Sequence, residues 1–247
     1  MTVDVYITDH QYSKIIGGAF REGCNGRSVA PGKLFEGTPA VYGILRGCGE
    51  IIHQCDWLGR DYYHVDLGYL GRGHFDGHYR VSKNGLQADI GDEEFSPERF
   101  EKTGTKLRPW RRTGTNIVVA PLSANMGRFL GIDTYQWCQA VKAEIKRWTD
   151  RPVRMKEKHE GEISAALDDC WCLVTHASNA AVDALIEGVP VITLGPSAVE
   201  NLSWDFRNIE KPAWLDREPV FYALAHHQWT LDSFRSGQTW SELTERS

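Results

Sequence analysis

Several things are missing from this sequence of 247 residues, and each absence narrows what it can do. No apolar run approaches the roughly 20 residues needed to cross a bilayer, so no membrane span is expected. The opening MTVDVYITDH has no basic stretch leading into an apolar one and does not read as a secretory leader. None of the six cysteines (Cys24, Cys48, Cys55, Cys138, Cys170 and Cys172) forms a C-x-x-C pair, and Cys170-Trp-Cys172 is not a zinc spacing. Scattered cysteines fit reduced thiols and a cytoplasmic protein. There is no P-loop, and no G-x-G-x-x-G follows a strand-like run, so the ATPase and dinucleotide fingerprints both fail. Short-period repeats and low-complexity tracts are absent as well.

What is present reads as an ordinary globular α/β chain, 41% hydrophobic and 25% charged. The net charge of −5 is uneven: residues 1–114 hold 15 basic and 15 acidic side chains, residues 115–247 hold 13 and 18. The stretch RFEKTGTKLRPWRR (99–112) carries six basic residues against Glu101 alone, which suits either a phosphate-bearing ligand or a solvated linker. Apolar runs alternate with helical patterns on both sides of it. The first half gives strands at 3–7, 40–45, 62–70 and 78–86, with a weak helix after the first and a helix over 48–59. The second half alternates more cleanly: strands at 116–123, 152–158, 171–178 and 189–195, helices at 133–149, 162–170 and 179–188, and a loop at ANMGRFLGI. The expected architecture is two small Rossmann-like, doubly wound units, residues 1–112 and 113–247, the second closed by C-terminal helices.

In an open parallel sheet, ligands bind beyond the carboxyl ends of the strands. In the second unit those positions hold Ser123 and Asn125, then Lys156 and Lys158, then Thr175, His176, Ser178 and Asn179, and finally Ser197 and Glu200. Hydroxyls, ammonium groups and a helix start near Asn179 suit a phosphate. Plainer readings exist: Ser178 as a helix cap, His176 as a half-buried packing residue, and the two lysines as solvent-facing strand residues. In the first unit Asp66 stands at a strand end, as a base or as a turn cap, and Asp9-His10 forms a second acid/base candidate. HFDGHY (74–79) clusters His74, Asp76 and His78 but reads as a turn, and no metal is expected.

The stretch VRMKEKHEGEISAALDDCWCLVTHASNAAVDALIEGVPVITLGP resembles the donor-binding half of GT-B-type glycosyltransferases, particularly capsule and lipopolysaccharide transferases and related phage proteins. YYHVDLGYLGR resembles an E-D-G-F-x-R-S segment of the capsule-type enzymes. The resemblance implies two units facing each other across a cleft. A nucleotide-diphospho-sugar, with UDP as the expected carrier, would be a co-substrate on the second unit, with no further cofactor. It implies that the helix after the third strand points Ser178 and Asn179 at the diphosphate, with Thr175 and His176 lining the cleft. The family's His-Pro pair after the basic residue is incomplete, since His159 has no proline beside it. Acceptor contacts are expected from Arg72, Arg108, Arg111 and Arg112, to a glycan or, in a phage-encoded protein acting in the host cytoplasm, to a hydroxymethylated base in DNA. The alternatives are a non-catalytic nucleotide-sugar-binding protein and a sugar-nucleotide epimerase, acting as monomer or homodimer.

Overall fold

The computed structural model describes residues 2–73, 75–91, 93–157 and 160–245. The chain divides into two compact units, Met1–Thr103 with Tyr222–Ser247, and Gly104–Phe221. The division falls within the basic run, after Thr103, rather than at its end, and the C-terminal segment expected on the second unit belongs to the first. Both differences have a packing cause given below.

The first unit is a six-stranded mixed sheet. Its elements are β1 (Val3–Tyr6), α1 (Gly18–Gly23, entered through a π-helical turn, Ser13–Gly17), β2 (Arg27–Val29), β3 (Thr38–Tyr42), α2 (Cys48–Leu58), β4 (Tyr63–Leu67), β5 (Tyr79–Lys83) and α3 (Glu98–Lys102). β1 pairs in parallel with β2 on one side and β3 on the other, and β3 pairs in parallel with β4. β5 then runs antiparallel to β4, so this sheet is not the wholly parallel one expected. The alternation along each strand separates two faces. Val3, Val5, Ala40, Tyr63, Val65, Tyr79 and Val81 form one apolar core with Ile16, Ala19 and Phe20. Asp4, Tyr6, His64, Asp66, Arg80 and Ser82 occupy the alternate positions.

The first core is completed by the end of the chain. Beyond a helix that leads back from the second unit, β10 (Gln228–Trp229) pairs antiparallel with β5. α9 (Leu231–Arg235) and α10 (Gln238–Glu245) follow and bring Phe234 and Trp240 edge-on to Phe20 at 5.4 and 6.2 Å between ring centres. Trp229, Leu231 and Phe234 are buried in the first core. The C-terminal helices expected to close the second unit are α9 and α10, and with β10 they pack on the first unit instead.

The second unit follows the expected β-α alternation. Its elements are β6 (Asn116–Ala120), α4 (Ala124–Leu130), α5 (Thr134–Ile145), β7 (Val153–Met155), α6 (Ile163–Ala166), β8 (Cys170–Thr175), α7 (Ala180–Ile186), β9 (Val191–Thr193) and α8 (Glu218–His226). The four strands are parallel in the order β7-β6-β8-β9. Asp133 caps α5, its carboxylate accepting from the Gln136 amide at 2.9 Å. ANMGRFLGI, expected as a loop, holds α4 between a Ser123 cap and Gly131 at φ 67°. Ala181 and Ala184 are fully buried on α7, small enough to let that helix lie close to the sheet.

Residues 104–112 belong to the second unit because they are hydrogen-bonded to it. The Arg108 and Arg111 amides donate to the Ile186 and Gly188 carbonyls at 2.9 and 2.8 Å. Gly188 sits at φ 76°, and a Cβ there would overlap the Pro109 carbonyl. Arg217 donates to the Leu185 and Arg108 carbonyls and lies 4.2 Å over the Trp110 ring.

His64 is 1% exposed, and neither ring nitrogen makes a hydrogen bond of normal geometry; the Leu86 backbone is the polar group beside it. Burial pushes its basicity down to about 4, with nearby Arg80 acting the same way and Asp66 opposing. Unfolded His64 titrates near 6.5, so between about pH 6.5 and 4 the unfolded chain binds the extra proton. Stability therefore falls as pH drops through that window, by about 3 kcal/mol in full, and is flat with respect to this group above it. Urea unfolding at pH 4.5 and 7.5 should show His64→Leu losing at least half of this term; an unchanged pH slope would refute the assignment.

Candidate active site

Parallel strands leave a crevice where neighbouring connections depart in opposite directions. In the second unit that point lies between β6 and β8, because β7 flanks β6 on one side while β8 and β9 extend the other. The residues after the parallel strands all leave from that one edge. Ser123 Oγ accepts from the Met126 amide at 3.2 Å, and Ser178 Oγ from the Ala180 amide at 3.2 Å. Each hydroxyl keeps its own proton to donate to a ligand oxygen. Asn179 stands at the N-cap of α7 without a side-chain cap bond. Ser197 is buried, with Oγ accepting from the Val199 amide at 3.4 Å, and Glu200 is exposed at the next short turn.

Other expected ligand residues are turned inward. Thr175 is 1% exposed and donates to the Ala120 carbonyl at 2.9 Å, clipping β8 to β6. Lys156 is 7% exposed and donates to the Glu157 and Gly161 carbonyls at 2.8 and 2.9 Å. Its burial makes those partners obligatory, so its charge holds a loop rather than facing open space. Asn125 accepts from Arg128 at 2.5 Å within α4. Lys158 and His159 lie outside the described residues.

His176 is the most constrained of the set. Its carbonyl accepts from the Leu194 and Gly195 amides at 3.1 and 2.9 Å. Its ring lies against Gly195, where an added Cβ would overlap the imidazole, and 6.4 Å from the Trp137 ring centre. Nδ1 is buried without a hydrogen-bond partner, and burial lowers the imidazole's basicity, favouring the neutral ring.

In the first unit the corresponding crevice lies between β1 and β3. Asp66 is half-buried near the end of β4. Its Oδ2 pairs with Arg80 Nη2 at 3.0 Å, and its Oδ1 accepts from the Leu67 amide at 2.8 Å. Arg80 also donates to the Leu67 and Leu86 carbonyls at 2.6 and 3.1 Å and lies 5.2 Å over the Tyr69 ring. Tyr42 ends β3. Burial, and then the Asp66 charge, drive its hydroxyl far above the ordinary tyrosine range, so it remains a proton donor. Asp9 is exposed and 3.7 Å from Lys14, while the His10 ring meets Tyr12 edge-on at 5.1 Å. Asp9 and His10 thus have separate partners and do not act as a hydrogen-bonded pair.

Two residues that hold this site escape notice in the sequence. Arg80 is one; only the β4–β5 register places it opposite Asp66. Gln228 is the other: its buried amide oxygen accepts from the Tyr69 and Leu70 amides at 2.8 and 2.9 Å, and its nitrogen donates to the Leu70 carbonyl at 3.1 Å. It pins the loop after Asp66 from some 160 residues away in sequence.

The arginines expected to bind acceptor divide between the units. Arg72 is exposed on the loop after β4. Arg108 pairs with Glu187 at 2.8 Å, Arg111 donates to the Leu167 and Asp168 carbonyls, and Arg112 lies 5.2 Å over Trp214. Those three fasten residues 104–112 to the second unit, a role that their partners within it account for. Among the described residues, no three His, Cys, Asp or Glu side chains gather in a metal-binding arrangement; His74 lies outside them. Two surface depressions sit at the amino ends of the strands instead. One of about 340 Å³ is lined by Arg27, Glu36 and Arg60, and one of about 440 Å³ by Thr149, Arg151 and Glu210. Their charges pair among themselves and with the buried Asp4, which marks both as structural.

No protein-family profile matches the chain, and no curated protein matches it in sequence. Among the solved structures that share its fold are two of Thermosulfurimonas dismutans KpsC. The beta Kdo 2,4 transferase is 14% identical, with a TM-score of 0.55 over 91% of this chain and 90% of that one. The beta Kdo 2,7 transferase is 10% identical, with a TM-score of 0.54 over the full length of both. The likeness to glycosyltransferases read from the sequence thus reappears in the fold.

The His176–Gly195 contact makes a quantitative prediction. Gly195→Ala should cost about 1–3 kcal/mol by overpacking. In a His176→Ala background the same change should cost less than half as much, because the ring it strikes is gone. A double-mutant cycle by urea denaturation reads the difference, and additive costs would place the clash elsewhere.

Proposed function

We propose that the protein is a glycosyltransferase that moves a sugar from a nucleotide-sugar to a hydroxyl of a glycan acceptor. The observation that carries this reading is a fold shared with two Kdo transferases along nine-tenths or more of both chains. Each sheet also presents polar side chains at the carboxyl edge, where such a fold holds ligands. The donor lies at the β6–β8 crevice, with the Ser123 and Ser178 hydroxyls meeting its phosphate and His176 beside it as a neutral imidazole. Kdo is the first sugar to try.

In the transfer, the acceptor oxygen bonds to the anomeric carbon as the bond from that carbon to the phosphate oxygen breaks. The electron pair leaves with the nucleotide, and the acceptor proton passes to a carboxylate. We assign that carboxylate to Asp66, which has lone pairs beyond those engaged by Arg80 and Leu67 and is oriented by both. Tyr42 serves as a donor to charge developing nearby. The engagement of Arg108, Arg111 and Arg112 within the second unit favours a glycan over DNA as acceptor, since a DNA site needs cations free for phosphates.

The Asp66–Arg80 ion pair also fits a second reading, a nucleotide-sugar-binding protein in which Asp66 is structural. One experiment separates the two. Thermal shift against UDP-, GDP- and CMP-activated sugars, Kdo among them, should show stabilisation by at least one. Mass spectrometry should then detect nucleotide release. Asp66→Asn should keep the thermal shift and lower turnover by 100-fold or more. Turnover that survives removes Asp66 from the chemistry, and a protein that no nucleotide-sugar stabilises has no donor site of this kind.

A further inference from the structure

The loop from β4 to β5 is held far more firmly than a surface connection needs to be. The Gly68 amide donates to the His78 carbonyl at 2.7 Å, and the His78 amide to the Gly71 carbonyl at 3.1 Å. Gln228 ties down residues 69 and 70 from beneath. Gly73 and Gly77 pack against each other so closely that a Cβ on Gly77 would overlap the Gly73 backbone, and one on Gly73 would overlap the Asp76 carboxylate. These contacts fix the course of the backbone around Phe75.

Phe75 is 50% exposed. Its ring stands 5.4 Å from that of Tyr12 at an interplanar angle of 49°, and Tyr12 in turn meets His10. What sets Phe75 apart from other exposed apolar side chains is its pairing with a second aromatic ring on a loop pinned at both ends. The pair lies at the carboxyl edge of the first sheet, where Tyr42 and Asp66 also end their strands. Asp76 neighbours Phe75 in sequence, and Arg72 precedes it on the same loop. A half-exposed aromatic face on a loop of polar residues suits a pyranose ring, whose C–H face covers the aromatic ring while its hydroxyls remain in water.

We propose that Tyr12 and Phe75 form a fixed aromatic shelf on which a pyranose ring of the glycan acceptor stacks. This rests on the transferase reading for the word acceptor, but not for the binding itself. The test is an array of bacterial capsule and lipopolysaccharide oligosaccharides, probed with the wild-type protein, Phe75→Ala and Phe75→Tyr. The wild type should retain at least one glycan. Phe75→Ala should weaken that binding fivefold or more at an unchanged melting temperature, and Phe75→Tyr should stay within twofold. A wild type that retains no glycan, or a Phe75→Ala protein that binds equally well, overturns the shelf. Nucleotide-sugar binding by the wild type is measured alongside. If it is absent while glycan binding depends on Phe75, the shelf stands and the transferase reading falls; the converse result removes the shelf and leaves the donor site.

Discussion

A charge or amide taken out of water has to find its partners inside the protein, and this requirement shapes the structure more than any other. Asp4, fully buried at the start of the first sheet, accepts from Arg27 and from the Glu36 and Gly37 amides. Arg80 answers Asp66 and two carbonyls, Gln228 answers three backbone groups, and Lys156 caps a loop with two. Each network fixes a connection that would otherwise wander. At the carboxyl edges, Arg80 and Gln228 in the first sheet and Lys156 in the second tie the chain leaving a strand to fixed backbone partners.

The same requirement explains which parts of the site were legible in the sequence. Side chains at strand ends were found because the β-α alternation of the second unit is strong, and Ser123, His176 and Ser178 do gather at one edge. Which of them stay available is a matter of burial, and burial is invisible in a strand of three residues such as β7. Lys156 reads as one of two alternating surface lysines and is in fact enclosed. Thr175 reads as a ligand and is a clip between strands.

The fold was legible in proportion to how local its contacts are. α5 falls inside the helix expected over 133–149, and β6 inside and β8 largely inside the strands expected over 116–123 and 171–178. β10 could not be seen, because two residues carry no periodicity and their partner lies across the chain in β5. α4 was missed although Ser123 and Gly131 punctuate it, since seven residues with Gly127 inside look like a loop. With 10–14% identity to proteins of the same fold, the course of the chain persists where the side chains do not.

The return of the chain to the first unit has a consequence for how the two units depend on sequence order. The second unit is continuous, and its four strands lie between Asn116 and Thr193. The first unit is split: without Gln228, Trp229 and Phe234, which lie beyond the second unit in sequence, its sheet lacks an edge strand and part of its apolar cover. Residues 1–103 taken alone are therefore an incomplete folding unit, whereas the second unit carries its whole sheet within one uninterrupted stretch.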